Sequence, residues 1–146
     1  MAQARTSRRD ILCLGAAAAA AACGGCGIFG SRKADVTAEP RQGVIRLTQA
    51  ESVALLASEG SLLVKPKGIH DKILVVHLMD HDLHAVSAIC THMGCTVNYK
   101  KETGQIDCPC HGSQFALDGS VIRGPAKQPL KRYDVTTDSG QVLIRV

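Results

Sequence analysis

The stretch CTHMGCTVNYKKETGQIDCPCHGS, residues 90–113, decides the reading of this chain. It holds two boxes, Cys90-Thr91-His92-Met93-Gly94-Cys95 and Cys108-Pro109-Cys110-His111-Gly112-Ser113. Each box offers a Cys, a His and a second Cys. Soft thiolate and borderline imidazole ligands from two loops can close around a metal centre. Zinc is one candidate, since two Cys with two His is an ordinary zinc set. The spacing does not fit a finger, which pairs Cys with Cys and His with His. Here each box is mixed, with one residue between Cys90 and His92.

Outward from the boxes the signals are β. Short apolar runs at 61–64, 73–79, 83–88, 96–99, 105–106, 130–136 and 142–146 are broken by turn residues at 67–68, 80–82, 102–104, 118–119 and 138–140. Many short strands at such spacing predict an all-β domain, an antiparallel sandwich or barrel, over 44–146. Thr48 followed by Glu51 fits a capping box before Val53-Ala54-Leu55-Leu56, so one short helix is expected there. No dinucleotide-binding glycine fingerprint is present, which argues against a Rossmann domain.

Residues 1–30 read as an export signal or membrane anchor. Arg5, Arg8 and Arg9 precede an uncharged stretch, 11–30, with seven consecutive alanines. Ser7-Arg8-Arg9-Asp10-Ile11-Leu12 resembles the twin-arginine (Tat) pattern. The uncharged stretch is long enough to span a bilayer, and Cys23 after three alanines offers a lipid-attachment alternative. Residues 31–43 (SRKADVTAEPRQG) are polar, with one Pro and no apolar periodicity, and read as a linker. Fully extended, such a tether reaches roughly 43 Å at about 3.3 Å per residue.

Composition narrows the function. The chain of 146 residues is 45% hydrophobic and 21% charged, values of a globular protein. Aromatic residues are only 3%, with no Trp, so a stacking surface for nucleic acid is not expected. A net charge of +4 is too modest to argue for nucleic acid either. Seven Cys and six His in so short a chain point instead to a metal site, disulfides or both.

The boxes resemble those of the Rieske iron–sulfur family: C-T-H-M-G-C against the family's C-T-H-x-G-C, and C-P-C-H-G-S in full. The likeness extends to Phe115, Asp118-Gly119 and Gly124-Pro125-Ala126. It implies a Rieske-type β-sandwich with a small cluster-binding subdomain, holding one [2Fe-2S] cluster. By that resemblance Cys90 and Cys108 hold one iron and His92 and His111 the other. Replacing two thiolates by neutral imidazoles removes negative charge and raises the reduction potential. The outer nitrogens of His92 and His111 stay free to bind protons, which makes these two the candidate catalytic residues. Cys95 and Cys110 would form the disulfide of the high-potential branch, in keeping with an oxidising compartment.

The same resemblance assigns tuning roles. Ser113 would donate to a bridging sulfide and raise the potential. Phe115 stands where the highest-potential members have a donating tyrosine, so a potential in the upper range but below its top is expected. Gly124 and Pro125 would form a loop covering the cluster. His70, His77, His81 and His84 read as structural or solvated.

The implied function is one-electron transfer as the iron–sulfur subunit of a quinol–cytochrome c reductase of the cytochrome bc type, not catalytic alone. Its partners would be a quinol-binding cytochrome b-type subunit and a cytochrome c-type acceptor, on the extracytoplasmic face of the membrane. Three rivals remain: the small Rieske subunit of another periplasmic oxidoreductase such as an arsenite oxidase, a free-standing ferredoxin-like carrier, and a structural zinc domain.

Overall fold

The computed structural model describes residues 34–146, apart from 58, 80 and 81. The Tat-like leader, its apolar stretch, and Cys13, Cys23 and Cys26 lie outside the described residues. So does most of the side-chain detail of the turn at 80–82.

Among the described residues eleven strands and one helix follow in chain order: β1 (Ala34–Ala38), β2 (Val44–Arg46), α1 (Gln49–Leu56), β3 (Gly60–Pro66), β4 (Ile73–His77), β5 (Leu83–Ser87), β6 (Asn98–Lys100), β7 (Gln105–Asp107), β8 (Gln114–Phe115), β9 (Val121–Arg123), β10 (Arg132–Asp138) and β11 (Gln141–Arg145). They form a seven-stranded sheet, ordered β1-β3-β4-β5-β10-β11-β2, and a four-stranded sheet, ordered β6-β7-β8-β9. The small sheet is inserted between β5 and β10, so the large sheet is the base and the small one carries the boxes. The expected all-β fold with a separate small subdomain is what the chain adopts.

The continuous apolar run of β4 has a reason. Ile73 and Val75 pack into one core with Leu62, Val64, Ala85, Tyr133 and Ile144. Leu74 and Val76 pack into a second core with Leu63, Val86, Ile106 and Phe115. A strand that alternates between two dry cores has no polar face to show. The second core also contains Cys90 and Cys108, so the base sheet and the boxes share one apolar body.

Helix α1 begins as the sequence predicts. The Glu51 N–H donates to Thr48 Oγ1 (3.3 Å), and the Thr48 N–H donates to Glu51 Oε2 (2.7 Å). Buried Ser52 then ties the helix to β11 by accepting from the Val142 N–H (3.0 Å).

The linker expected over 31–43 is corrected over its described part. Residues 34–38 form β1, which pairs in parallel with β3, the one parallel pair among the described strands. Asp35 meets Lys65 and Glu39 meets Lys67, each at 2.7 Å, while Ala38 and Val36 face the first core. An edge strand needs only one apolar side, so its polar composition disguised it. The folded unit thus starts before residue 44. Strands β2, β8 and β9 were also unforeseen; each has only two or three residues.

Gly119 shows why the turn at 118–119 needs glycine. Its φ is +89°, and a Cβ there would lie 2.7 Å from the Leu130 carbonyl oxygen. The Leu130 N–H donates to the Gly119 carbonyl (2.9 Å), joining the small sheet to the segment that leads into β10.

Candidate metal centre

The two boxes close by the same pair of backbone bonds. In the first, the Cys90 N–H donates to the Cys95 carbonyl (2.8 Å) and the Gly94 N–H to the Cys90 carbonyl (2.9 Å). In the second, the Cys108 N–H donates to the Ser113 carbonyl (2.8 Å) and the Gly112 N–H to the Cys108 carbonyl (3.1 Å). Gly94 and Gly112 occupy matching positions with φ +74° and +73°. The tight return of each loop therefore needs a residue tolerant of left-handed backbone.

This shared geometry sorts the side chains. Cys90 and Cys108 point inward and are each 2% exposed. His92 and His111 are exposed, with ring centroids 4.8 Å apart in an edge-to-face arrangement. Burial pushes the Cys108 thiol up, as does a hydrogen bond with Cys90, while the backbone of Cys110 and His111 pulls it down by hydrogen bonding to the sulfur. Two thiols from different loops are thus neighbours in an apolar body that disfavours bare thiolates. A bound cation offsets that cost.

Cys95 and Cys110 form a disulfide joining the boxes, as the resemblance implied. The sulfurs of Cys95, Cys108 and Cys110 lie within 4.8 Å of one another. That trio is not a ligand set, because two of its members are bonded to each other. It shows the bridge packed against Cys108.

A third loop is pinned to both boxes. Thr91 Oγ1 donates to the Gln128 carbonyl (2.7 Å), and buried Ser113 Oγ accepts from the Ala126 N–H (3.0 Å). Gly124 and Pro125, at the head of this loop, are exposed and joined by a cis peptide bond, while Ala126 is buried. The Ser113 hydroxyl proton is given to no acceptor among the described residues. Phe115 is fully buried in the same core as Cys90 and Cys108.

The remaining histidines divide. His70 is exposed and His77 is buried in β4. His84, expected to be solvated, is half-buried: its Nδ1 is enclosed with no partner, and its Nε2 lies 3.9 Å from Asp82. His81 lies outside the described residues. An open hollow of about 500 Å³ lies against β2, β10 and β11, and none of its lining residues belongs to a box. Thr91, whose bond anchors the third loop, was missed as a functional residue, although its place inside C-T-H was a visible signal.

Two inward thiols beside two outward imidazoles, held by twin loops and a bridge, define an iron–sulfur protein of mixed Cys/His ligation. The Rieske [2Fe-2S] domain family matches residues 47–134, and the chain belongs to it. Its cofactor is one [2Fe-2S] cluster, and the donor set described above fits that group. The chain is 43% identical over 76 residues to the cytochrome b6-f complex iron-sulfur subunit of Chlorobaculum tepidum, covering 52% of this chain and 41% of that protein. It is 46% identical over 67 residues to cytochrome b6-f complex iron-sulfur subunit 3 of Nostoc, covering 44% and 38%. Among solved structures it resembles the plasma membrane Rieske protein PetC3 of Synechocystis PCC 6803, with TM-score 0.53 and 36% identity over 68% of this chain and 95% of that one. It also resembles a ferredoxin of carbazole 1,9a-dioxygenase from Nocardioides aromaticivorans, with TM-score 0.51 and 26% identity over 58% and 83%. The matches to the cytochrome b6-f subunits cover about two fifths of those proteins' length.

Proposed function

We propose that the chain is the one-electron carrier of a cytochrome bc-type quinol–cytochrome c reductase. One observation carries the reading: His92 and His111 stand exposed side by side, while the paired thiols behind them are buried. Cys90 and Cys108 would hold one iron and His92 and His111 the other. The [2Fe-2S] cluster, when bound, supplies a centre that takes up and releases one electron. The residues do the rest. The two imidazoles present their outer nitrogens to a partner, where they accept a hydrogen bond or a proton. The buried thiols, the Cys95–Cys110 bridge and the loop 124–128 exclude water on the inner side. The Ser113 hydroxyl would donate to a sulfur of the bound cluster, a hydrogen bond that favours the more negative reduced state.

The partners are a quinol-binding cytochrome b-type subunit and a cytochrome c-type acceptor; the naming of the relatives as cytochrome b6-f complex subunits supports the cytochrome b-type partner. The leader supports Tat export and attachment to the outer face of the membrane. No described helix is long and apolar enough to cross a membrane; the apolar stretch 11–30 lies outside the described residues. A second reading, a free-standing carrier, draws on the likeness to the dioxygenase ferredoxin.

The test is EPR of the dithionite-reduced protein with a redox titration at several pH values. A rhombic Rieske signal with a midpoint of at least roughly +100 mV, falling as pH rises, is expected for quinol oxidation. A midpoint near or below about −100 mV would transfer the assignment to the carrier. Bound zinc with no signal would overturn both.

A further inference from the structure

Three elements of the base sheet converge on one carboxylate beneath the first box. Asp71 lies in the connection between β3 and β4 and is half-buried. Its Oδ2 accepts from the Tyr133 hydroxyl of β10 (2.5 Å), and its Oδ1 accepts from Ser87 Oγ at the end of β5 (2.7 Å). Ser87 Oγ in turn accepts from the Ile89 N–H (3.2 Å). Ile89 directly precedes Cys90 and bridges to Thr96, directly after Cys95. Lys72 adds a second latch: its carbonyl accepts from the Ala88 N–H (2.6 Å) and its Nζ donates to Thr96 Oγ1 (3.4 Å). Both flanks of the first box are therefore tied to the pair Asp71-Lys72.

The charge on Asp71 is held by two neutral hydroxyls. Among the described residues none of the ion pairs includes it. Lys131, the cation just before β10, sits over the Tyr133 ring (4.4 Å to the centroid). Burial and the Asp71 carboxylate push the Tyr133 phenol well above its ordinary range, so it stays a neutral donor.

We propose that Asp71 is a positioning residue for the metal centre: through Ser87 it fixes the chain entering Cys90, and its unpaired charge holds the reduction potential down. A fixed negative charge nearby makes an added electron more costly. The inference rests on the reading that Cys90, His92, Cys108 and His111 hold the cluster.

The experiment is a redox titration of the holoprotein, followed by EPR, in four forms: wild type, Asp71→Asn, Ser87→Ala and Tyr133→Phe. Asp71→Asn removes the charge in nearly the same shape and should raise the midpoint. The expected shift in the electron-uptake equilibrium is about tenfold, which is about 59 mV for one electron. Ser87→Ala keeps the charge, strips one of its two donors and cuts the link, so its midpoint should fall, as in Tyr133→Phe, while its melting temperature falls. Tyr133→Phe keeps the charge and strips a donor from it, so its midpoint should fall; this form also serves if Asp71→Asn fails to fold. An unchanged or lowered midpoint in folded Asp71→Asn, or a raised one in Tyr133→Phe, overturns the proposal. A rise in Ser87→Ala as large as in Asp71→Asn would mean loop disorder, not charge, and overturns the electrostatic half. Absence of a Rieske signal in the wild type would instead sink the cluster reading itself.

Discussion

His92 and His111 meet edge to face at 4.8 Å although their boxes are separated by a whole hairpin, β6–β7. Neither ring belongs to a core cluster, whereas the thiols of the same boxes do. His92→Ala or His111→Ala should therefore abolish the Rieske EPR signal while shifting apoprotein stability by no more than about 0.5 kcal/mol, the usual surface value. Cys90→Ala or Cys108→Ala should abolish the signal and also destabilise. Urea titration of the apo forms separates the two classes.

The Cys95–Cys110 bridge closes a loop with a sequence separation of 15. Chain-entropy arguments assign about 3 kcal/mol to a loop of that size. Cys95→Ala/Cys110→Ala should lose stability of that order and release iron faster under chelator. Equal iron retention would show that the paired backbone bonds hold the boxes without the bridge.

Ser113 accepts from the Ala126 N–H and, in the role proposed for it, also donates to the cluster. Ser113→Ala leaves the buried Ala126 N–H without its acceptor, at a cost of about 1–3 kcal/mol. The midpoint should fall as well, because that donor is gone. A stable midpoint with lowered stability would confine Ser113 to the architecture.

Phe115 is fully buried in the core that holds Cys90 and Cys108. A hydroxyl added there must find an acceptor inside that core or remain unsatisfied, and the family resemblance makes that acceptor a ligand sulfur. Phe115→Tyr should raise the midpoint, as redox titration will read; an unmoved or lowered value would count against the missing-donor account.

Burial and the Glu59 carboxylate raise the Tyr99 phenol from about 10 to about 12. The folded state therefore favours the protonated form. That stabilisation is complete below pH 10 and is lost as pH rises through about 12. Tyr99 and Tyr133 are the only tyrosines, and both are raised. Phenolate absorbance in the folded protein should accordingly appear well above pH 10. Tyr99→Phe should flatten the alkaline limb of stability measured by urea titration; an unchanged limb would exclude the Tyr99–Glu59 bond (3.0 Å) as its source.

The legible parts of the sequence were those whose chemistry is local. Both boxes, the Thr48–Glu51 cap and the short apolar runs of β3, β4 and β5 carry their own signals within a few residues. The disulfide needed a family resemblance, since spacing alone does not pair cysteines. The Asp71–Tyr133 bond was invisible because 62 residues separate its ends. Strands β8 and β9 escaped notice because two or three residues carry no period. β1 escaped because its partner is β3, and an edge strand with Asp35 and Glu39 looks like solvated chain until Lys65 and Lys67 are placed beside it.

That edge strand changes the length of the leash. Fully extended, residues 31–43 would reach roughly 43 Å at about 3.3 Å per residue, but residues 34–38 are held in β1. Wider travel requires β1 to peel from β3, breaking the Asp35–Lys65 and Glu39–Lys67 pairs in turn. Exposed ion pairs weaken with salt, so ionic strength becomes a throttle on how far this electron carrier can roam.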